Sequence, residues 1–206
     1  QTLRMSKLNE LFDEKKMAAE HQKIIERLGS LQMTDGGFTW YRYPGCKSSL
    51  WATEVVLEIV GELNQLGYLK DDADVNHMVK KAVKYYDAEN LRLLKKQLKH
   101  SKNNYHGFSN YAYVRTMFKQ YSLGQENASM MRNVLKAMID DWKGTSLLNK
   151  AFYAMTLNRN NYSKAAQEIV RSIREFSITK PELGMYWDNL QEHWSYRDKV
   201  ATTSTI

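Results

Sequence analysis

The side chains best equipped for chemistry are few and far apart. Cys46 is the single cysteine. It sits between Gly45 and Lys47, and a thiol beside an ammonium in a loop is a candidate reactive thiol. No histidine stands close in sequence to act as its base, so an inert loop thiol is the plainer reading. One cysteine permits no internal disulfide and leaves the redox compartment open. The histidines are His21, His77, His100, His106 and His193, and no pair has the i, i+4 spacing that sets two imidazoles on one helix face. No metal and no cofactor is expected. Five carboxylates, Asp35, Glu54, Asp188, Glu192 and Asp198, lie near aromatic-rich stretches holding Trp40, Tyr41, Tyr43, Trp51, Tyr186, Trp187, Trp194 and Tyr196. Paired acids across an aromatic cavity are the machinery of glycoside cleavage. The ordinary reading gives Asp35 to a turn and Glu54 to the positive end of a helix, with the aromatics packing a rim or an interface. Neither a glycine-rich phosphate loop nor a Gly-x-Ser-x-Gly element is present.

The elements that must position these residues read as helices. Hydrophobic residues make up 43% of the 206 and charged residues 26%, a globular balance. Two prolines and ten methionines suit a helical chain. Apolar residues recur at helical spacing through Val55–Leu66, Val75–Tyr86, Met131–Trp142, Leu147–Leu157 and Tyr162–Phe176. Gly67 is placed to end the first of these as a left-handed cap. Ser109 reads as the N-cap of a helix through Tyr113, Val114, Met117, Phe118 and Tyr121, which Gly124 would close. Thr145 or Ser146 caps the helix at Leu147. The stretch from Leu3 to Gln32 predicts one or two helices with Ile24, Leu28 and Leu31 facing inward. Strand-like alternation is not seen over any useful length, and short connections imply antiparallel neighbours.

The net charge of +7 raises the question of nucleic acid. The densest basic run is Arg92, Lys95, Lys96, Lys99, His100 and Lys102, spaced as a solvated helix face, with no nucleic-acid motif beside it. No nucleic-acid partner is expected. No apolar run approaches the roughly 20 residues a membrane helix needs, so direct membrane insertion is not expected either. The chain opens on Gln1 without a signal-like segment and stops at Ile206 without a cap, which reads as one domain, residues 1–206, cut from a longer chain.

Two long non-helical stretches, Met33–Ser49 and Ser177–Lys199, resemble each other. The first reads Gly37-Phe38-Thr39-Trp40 and then Trp51-Ala52-Thr53. The second reads Gly184-Met185-Tyr186-Trp187 and then Val200-Ala201-Thr202. Glycine to threonine is 16 residues in one and 18 in the other. A long-period repeat calls for an architectural cause. Helical hairpins in a ring supply one: each glycine-aromatic loop would cross the same rim and feed a helix starting at the threonine.

The stretch Leu31-Gln32-Met33-Thr34-Asp35-Gly36-Gly37-Phe38-Thr39-Trp40 resembles the Leu-Gln-x-x-Asp-Gly-Gly-Phe element of the α/α toroids, a superfamily that includes terpenoid cyclases, prenyltransferase β subunits and the thioester domains of α2-macroglobulins. Trp51-Ala52-Thr53-Glu54-Val55-Val56-Leu57 looks like the inner helix of the α2-macroglobulin branch. Gly184-Met185-Tyr186-Trp187 with Trp194-Ser195-Tyr196 looks like a later loop of its large bacterial members. Asn149-Lys150-Ala151-Phe152-Tyr153-Ala154 stands where that branch has a Lys-Ala-Leu-Leu-Ala-Tyr-like helix. The resemblance runs from about Leu28 to the C-terminus and is strongest at the two loops. It implies an all-α, incomplete α/α toroid of antiparallel hairpins in an extracytoplasmic, bacterial protein that traps proteases. Its partners would be sister domains of the parent chain and a protease. The candidate docking rim is Asp35, Phe38, Trp40, Tyr41, Tyr43, Trp51, Tyr186, Trp187 and Trp194.

The family's covalent chemistry is a thioester between a cysteine and a glutamine three residues on. Here Cys46 is followed at that distance by Ser49, so the motif cannot form that bond within this chain, and no catalytic residue is carried over. The chain is expected not to be an enzyme. The competing expectation is a carbohydrate-active toroid, a glycosidase or lyase, with acids among Asp35, Glu54 and Asp188.

Overall fold

A computed structural model describes residues 14–69, 72–101 and 104–187. Seven α-helices run through them, with two single-turn 3-10 segments and one small hairpin. The helices are α1 (Glu14–Leu31), α2 (Leu50–Gln65), α3 (Ala73–Leu98), α4 (Ser109–Arg115), α5 (Gln125–Asp141), α6 (Leu147–Arg159) and α7 (Ser163–Glu175). The strands are β1 (Ile178–Lys180) and β2 (Gly184–Tyr186). The protein is mainly all-α, as the periodicity predicts. The chain forms two compact units, residues 1–89 and 90–206, and α3 contributes to both.

In the first unit, Phe38, Ala52, Leu57, Val60, Val75, Val79, Ala82, Val83 and Tyr86 form the core. Helix α2 begins three residues before the expected threonine, because Ser49 is its N-cap and accepts from the Ala52 amide. Gly67 has φ +88, the predicted left-handed stop. The inward stripe of α1 differs from expectation. Ile24 is 64% exposed and Ile25 is buried. Leu28 and Leu31 are half-buried as expected, and so are Gly29 and Gln32 beside them. Gly29 lies close to Met78 Sδ, and the Gln32 amide donates to the Met78 carbonyl. A glycine and a glutamine facing α3 set the helix rotation, and neither scores in an apolar pattern.

In the second unit, α6 and α7 are joined by a tight link in which Asn161 takes φ +68. Of the two candidate caps for α6, Ser146 is the one used, accepting from the Asn149 amide. Leu157, Ile169, Val134, Met138, Met130 and Phe118 are fully enclosed. Helix α4 is shorter than the spacing predicts. It stops at Arg115, whose guanidinium turns back to the Phe118 and Tyr121 carbonyls at 2.7 and 2.8 Å. The Thr116 hydroxyl also takes the Tyr113 carbonyl. Acceptors bound by side chains satisfy a turn as well as a helix would. Gly124 therefore opens α5, with φ −63 and ψ 161, and does not close α4.

The hairpin is a further departure from expectation. β1 and β2 pair antiparallel, Ile178 with Tyr186 and Lys180 with Gly184. Strands of three residues are too short for period-two alternation to be read in sequence.

Candidate interaction surface

The connection from α1 to α2 is held from several sides. Gly36 takes φ +93, which favours glycine. The Asp35 carboxylate accepts from the Gly37 amide at 3.1 Å and from the Ser48 hydroxyl at 2.5 Å. Phe38 bridges Gln32 on one side and Ser49 on the other. Its amide donates to Thr53 Oγ1 at 2.8 Å, and that hydroxyl donates in turn to the Ser49 carbonyl at 2.8 Å. The Gln32 amide reaches the Gly36 carbonyl as well as Met78. Thr53 is fully buried, so its hydroxyl is the acceptor a buried amide requires. Thr53→Val should cost about 2 kcal/mol by leaving the Phe38 amide without that acceptor, read as a lower thermal midpoint. Thr53→Ser should keep most of the stability.

This frame projects the loop 39–48. Ser49 N–H donates to the Phe38 carbonyl and closes its base. At its tip the Cys46 amide donates to the Tyr43 carbonyl, with Gly45 at φ +82 after Pro44, a turn with proline and glycine at the positions that need them. The Arg42 guanidinium donates to the Gln32 carbonyl. Trp40, Tyr41, Tyr43 and Trp51 are 44, 78, 64 and 66% exposed. The Trp40 and Trp51 rings lie 4.9 Å apart, tilted by 55°. Cys46 is half-buried with its sulfur 3.9 Å from Met33 Sδ.

The other rim residues are placed differently. Phe38 is 2% exposed and belongs to the core of the first unit. Trp187 is buried in the second, its indole N–H donating to the Ile173 carbonyl at 2.8 Å. Tyr186 is half-buried on β2. Trp194, with Asp188, Glu192, Tyr196 and Asp198, lies outside the described residues. The two glycine-aromatic stretches thus differ in local form. Gly37 is enclosed by Ser48 and Tyr85, whereas Gly184 is open, at φ +71, in a hairpin. Thr202, the counterpart of the Thr53 latch, is also outside the described residues. The expectation of equivalent glycine crossings is corrected to this extent.

The acids near the loop are engaged in the fold. Asp35 holds the turn, and Glu54 accepts from the Tyr86 hydroxyl at 2.5 Å. No cluster of three potential metal ligands occurs among the described residues, and no described helix is long and apolar enough to cross a membrane. Of the basic run, Arg92, Lys95, Lys96, Lys99 and His100 are exposed as a solvated face, and Lys95 pairs with Glu126 at 2.6 Å. Lys102 is outside the described residues. Burial pushes up the phenols of Tyr121 and Tyr153; for Tyr153 a Ser109 hydrogen bond opposes and Asp141 adds to the rise.

Sequence reasoning missed the latch at Thr53 and Gln32 and the buried Arg115. Ser49 ahead of an apolar helical run was the available signal for the cap. It also missed a groove of about 420 Å³ in the second unit, between α6, α7 and the hairpin, floored by Ala154, Ala166, Ile173 and Trp187 and edged by Arg174 and Gln167. Neither a scan of protein-family models nor a search of curated proteins returns a match to this chain.

Proposed function

We propose that the chain is a non-catalytic helical domain of a bacterial α2-macroglobulin-like protease-trapping protein, built on the α/α-toroid plan and working outside the cytoplasm. The observation that carries this reading is the connection from Leu31 to Thr53. The stretch bearing the resemblance is a turn in which Asp35, Gly36, Gly37, Phe38 and Thr53 each have a definite structural duty. Of the acids a carbohydrate-active enzyme would draw on, Asp35 and Glu54 are bonded to the fold, and Asp188 lies outside the described residues. Cys46 followed by Ser49 gives no thioester within the chain, so residues 1–206 take part in trapping by non-covalent contact.

For contact with sister domains we take the end of α7 and the hairpin in place of the aromatic rim, because Phe38 and Trp187 of that rim are buried. Phe176, Leu183 and Met185 are exposed there, and Met185 lines the apolar groove. Exposed apolar side chains grouped around a groove mark interaction sites more often than chance does.

A trap shields a protease from large substrates and leaves it active on small ones. In the parent protein, Leu183→Glu with Met185→Glu should weaken that shielding by roughly tenfold or more, as loss of apolar anchors does at interfaces. Cys46→Ser should leave it unchanged. Release of reducing ends from a polysaccharide by the chain alone, or trapping that fails in Cys46→Ser, would overturn the reading.

A further inference from the structure

The loop 39–48 and the first turn of α2 carry a combination that the sister-domain surface does not. From Gly36 to Thr53 the only charged residues after Asp35 are Arg42 and Lys47, both basic. Around them stand Trp40, Tyr41, Tyr43 and Trp51, all exposed. The aromatics are tryptophan and tyrosine, with an apolar ring and a polar edge. Such rings settle at the level of lipid headgroups, where one end is apolar and the other wet. The loop is held in shape before any contact, by the Phe38–Ser49 closure and the Tyr43–Cys46 turn. Little ordering entropy then opposes docking.

We propose that this loop is a peripheral contact for an anionic membrane surface. Trp40, Tyr41, Tyr43 and Trp51 seat among the headgroups, and Arg42 and Lys47 meet the lipid phosphates. The contact is at the bilayer surface; no described helix is long and apolar enough to cross a membrane. Attraction between basic side chains and an anionic leaflet acts within a Debye length, so the contact weakens with salt. The inference is independent of the protease-trap reading, since it rests on the loop alone.

The test is sedimentation of the intact chain with vesicles of phosphatidylglycerol and phosphatidylcholine in equal parts, and with phosphatidylcholine alone. Binding to the mixed vesicles is expected, with tryptophan emission quenched by lipids brominated in the acyl chain near the headgroup. Each basic residue near an anionic surface is worth about fivefold in partitioning. Lys47→Glu should therefore reduce binding by roughly tenfold or more, and Tyr41→Asp should abolish the quenching. Both positions are open to solvent, and an unchanged circular dichroism spectrum confirms folding. No binding to mixed vesicles would overturn the proposal, as would equal binding to both kinds or binding insensitive to both substitutions. Equal, variant-sensitive binding to soluble dextran sulfate would show a general polyanion site and overturn it as well.

Discussion

Gly36→Ala is expected to destabilise the first unit by about 4 kcal/mol and to lower its thermal midpoint by roughly 20 °C. Two effects add. The residue holds φ +93, a region that costs a side-chain-bearing residue about 1–2 kcal/mol. The new Cβ would also stand 2.5 Å from the Lys81 carbonyl oxygen and 2.8 Å from its carbon. Those are backbone atoms inside α3, and a helix interior yields little. Gly45 separates the two effects. It has φ +82 with open space where a Cβ would go, so Gly45→Ala should cost only about 1 kcal/mol. Equal midpoints for the two variants would mean that the turn does not need to approach α3 so closely.

The second large effect is expected at Arg115. Its side chain is only 3% exposed, and two of its nitrogens serve the Phe118 and Tyr121 carbonyls. Removing the charge lifts a desolvation cost, which argues for tolerance. Against that, Arg115→Met leaves two carbonyls without their charged donors while keeping most of the volume. Hydrogen bonds to charged groups contribute about 1.5–3 kcal/mol each, so a net loss of about 3 kcal/mol is expected. Amide hydrogen exchange should accelerate through residues 116–121 in particular. Arg115→Lys should restore only part of the loss, because an ammonium lacks the planar fork that reaches two acceptors at once. A methionine variant with native stability would show that the turn after α4 holds itself.

What could be read in advance follows from how local each determinant is. The helices at Val55, Val75, Met131, Leu147 and Ala165 declare themselves through apolar spacing, and Ser146 and Gly67 through residue type alone. The rotation of α1 did not, because Gly29 and Gln32 matter only against Met78, far along the chain. The end of α4 did not, because Arg115 and Thr116 look like ordinary helix residues until their acceptors are in view. At the candidate surface the residue types were legible and their exposure was not. Phe38 and Trp40 stand two apart in one loop, yet one is enclosed and the other half open. Trp187 follows a similar glycine and is buried by its bond to Ile173. Burial depends on the neighbour across the fold, and a single sequence does not name it.

The closure of Phe38 on Ser49 leaves the ten positions between them in an unusual evolutionary position. With both stems pinned by backbone pairing, the span adds few side chains to the buried interior, and lengthening it even twofold would cost only about 0.6 kcal/mol in chain entropy. The segment can be exchanged at little cost to stability while the helices beneath stay as they are. Substitutions should therefore cost the fold least between these two residues and most at the glycine, threonine and glutamine that hold them in place.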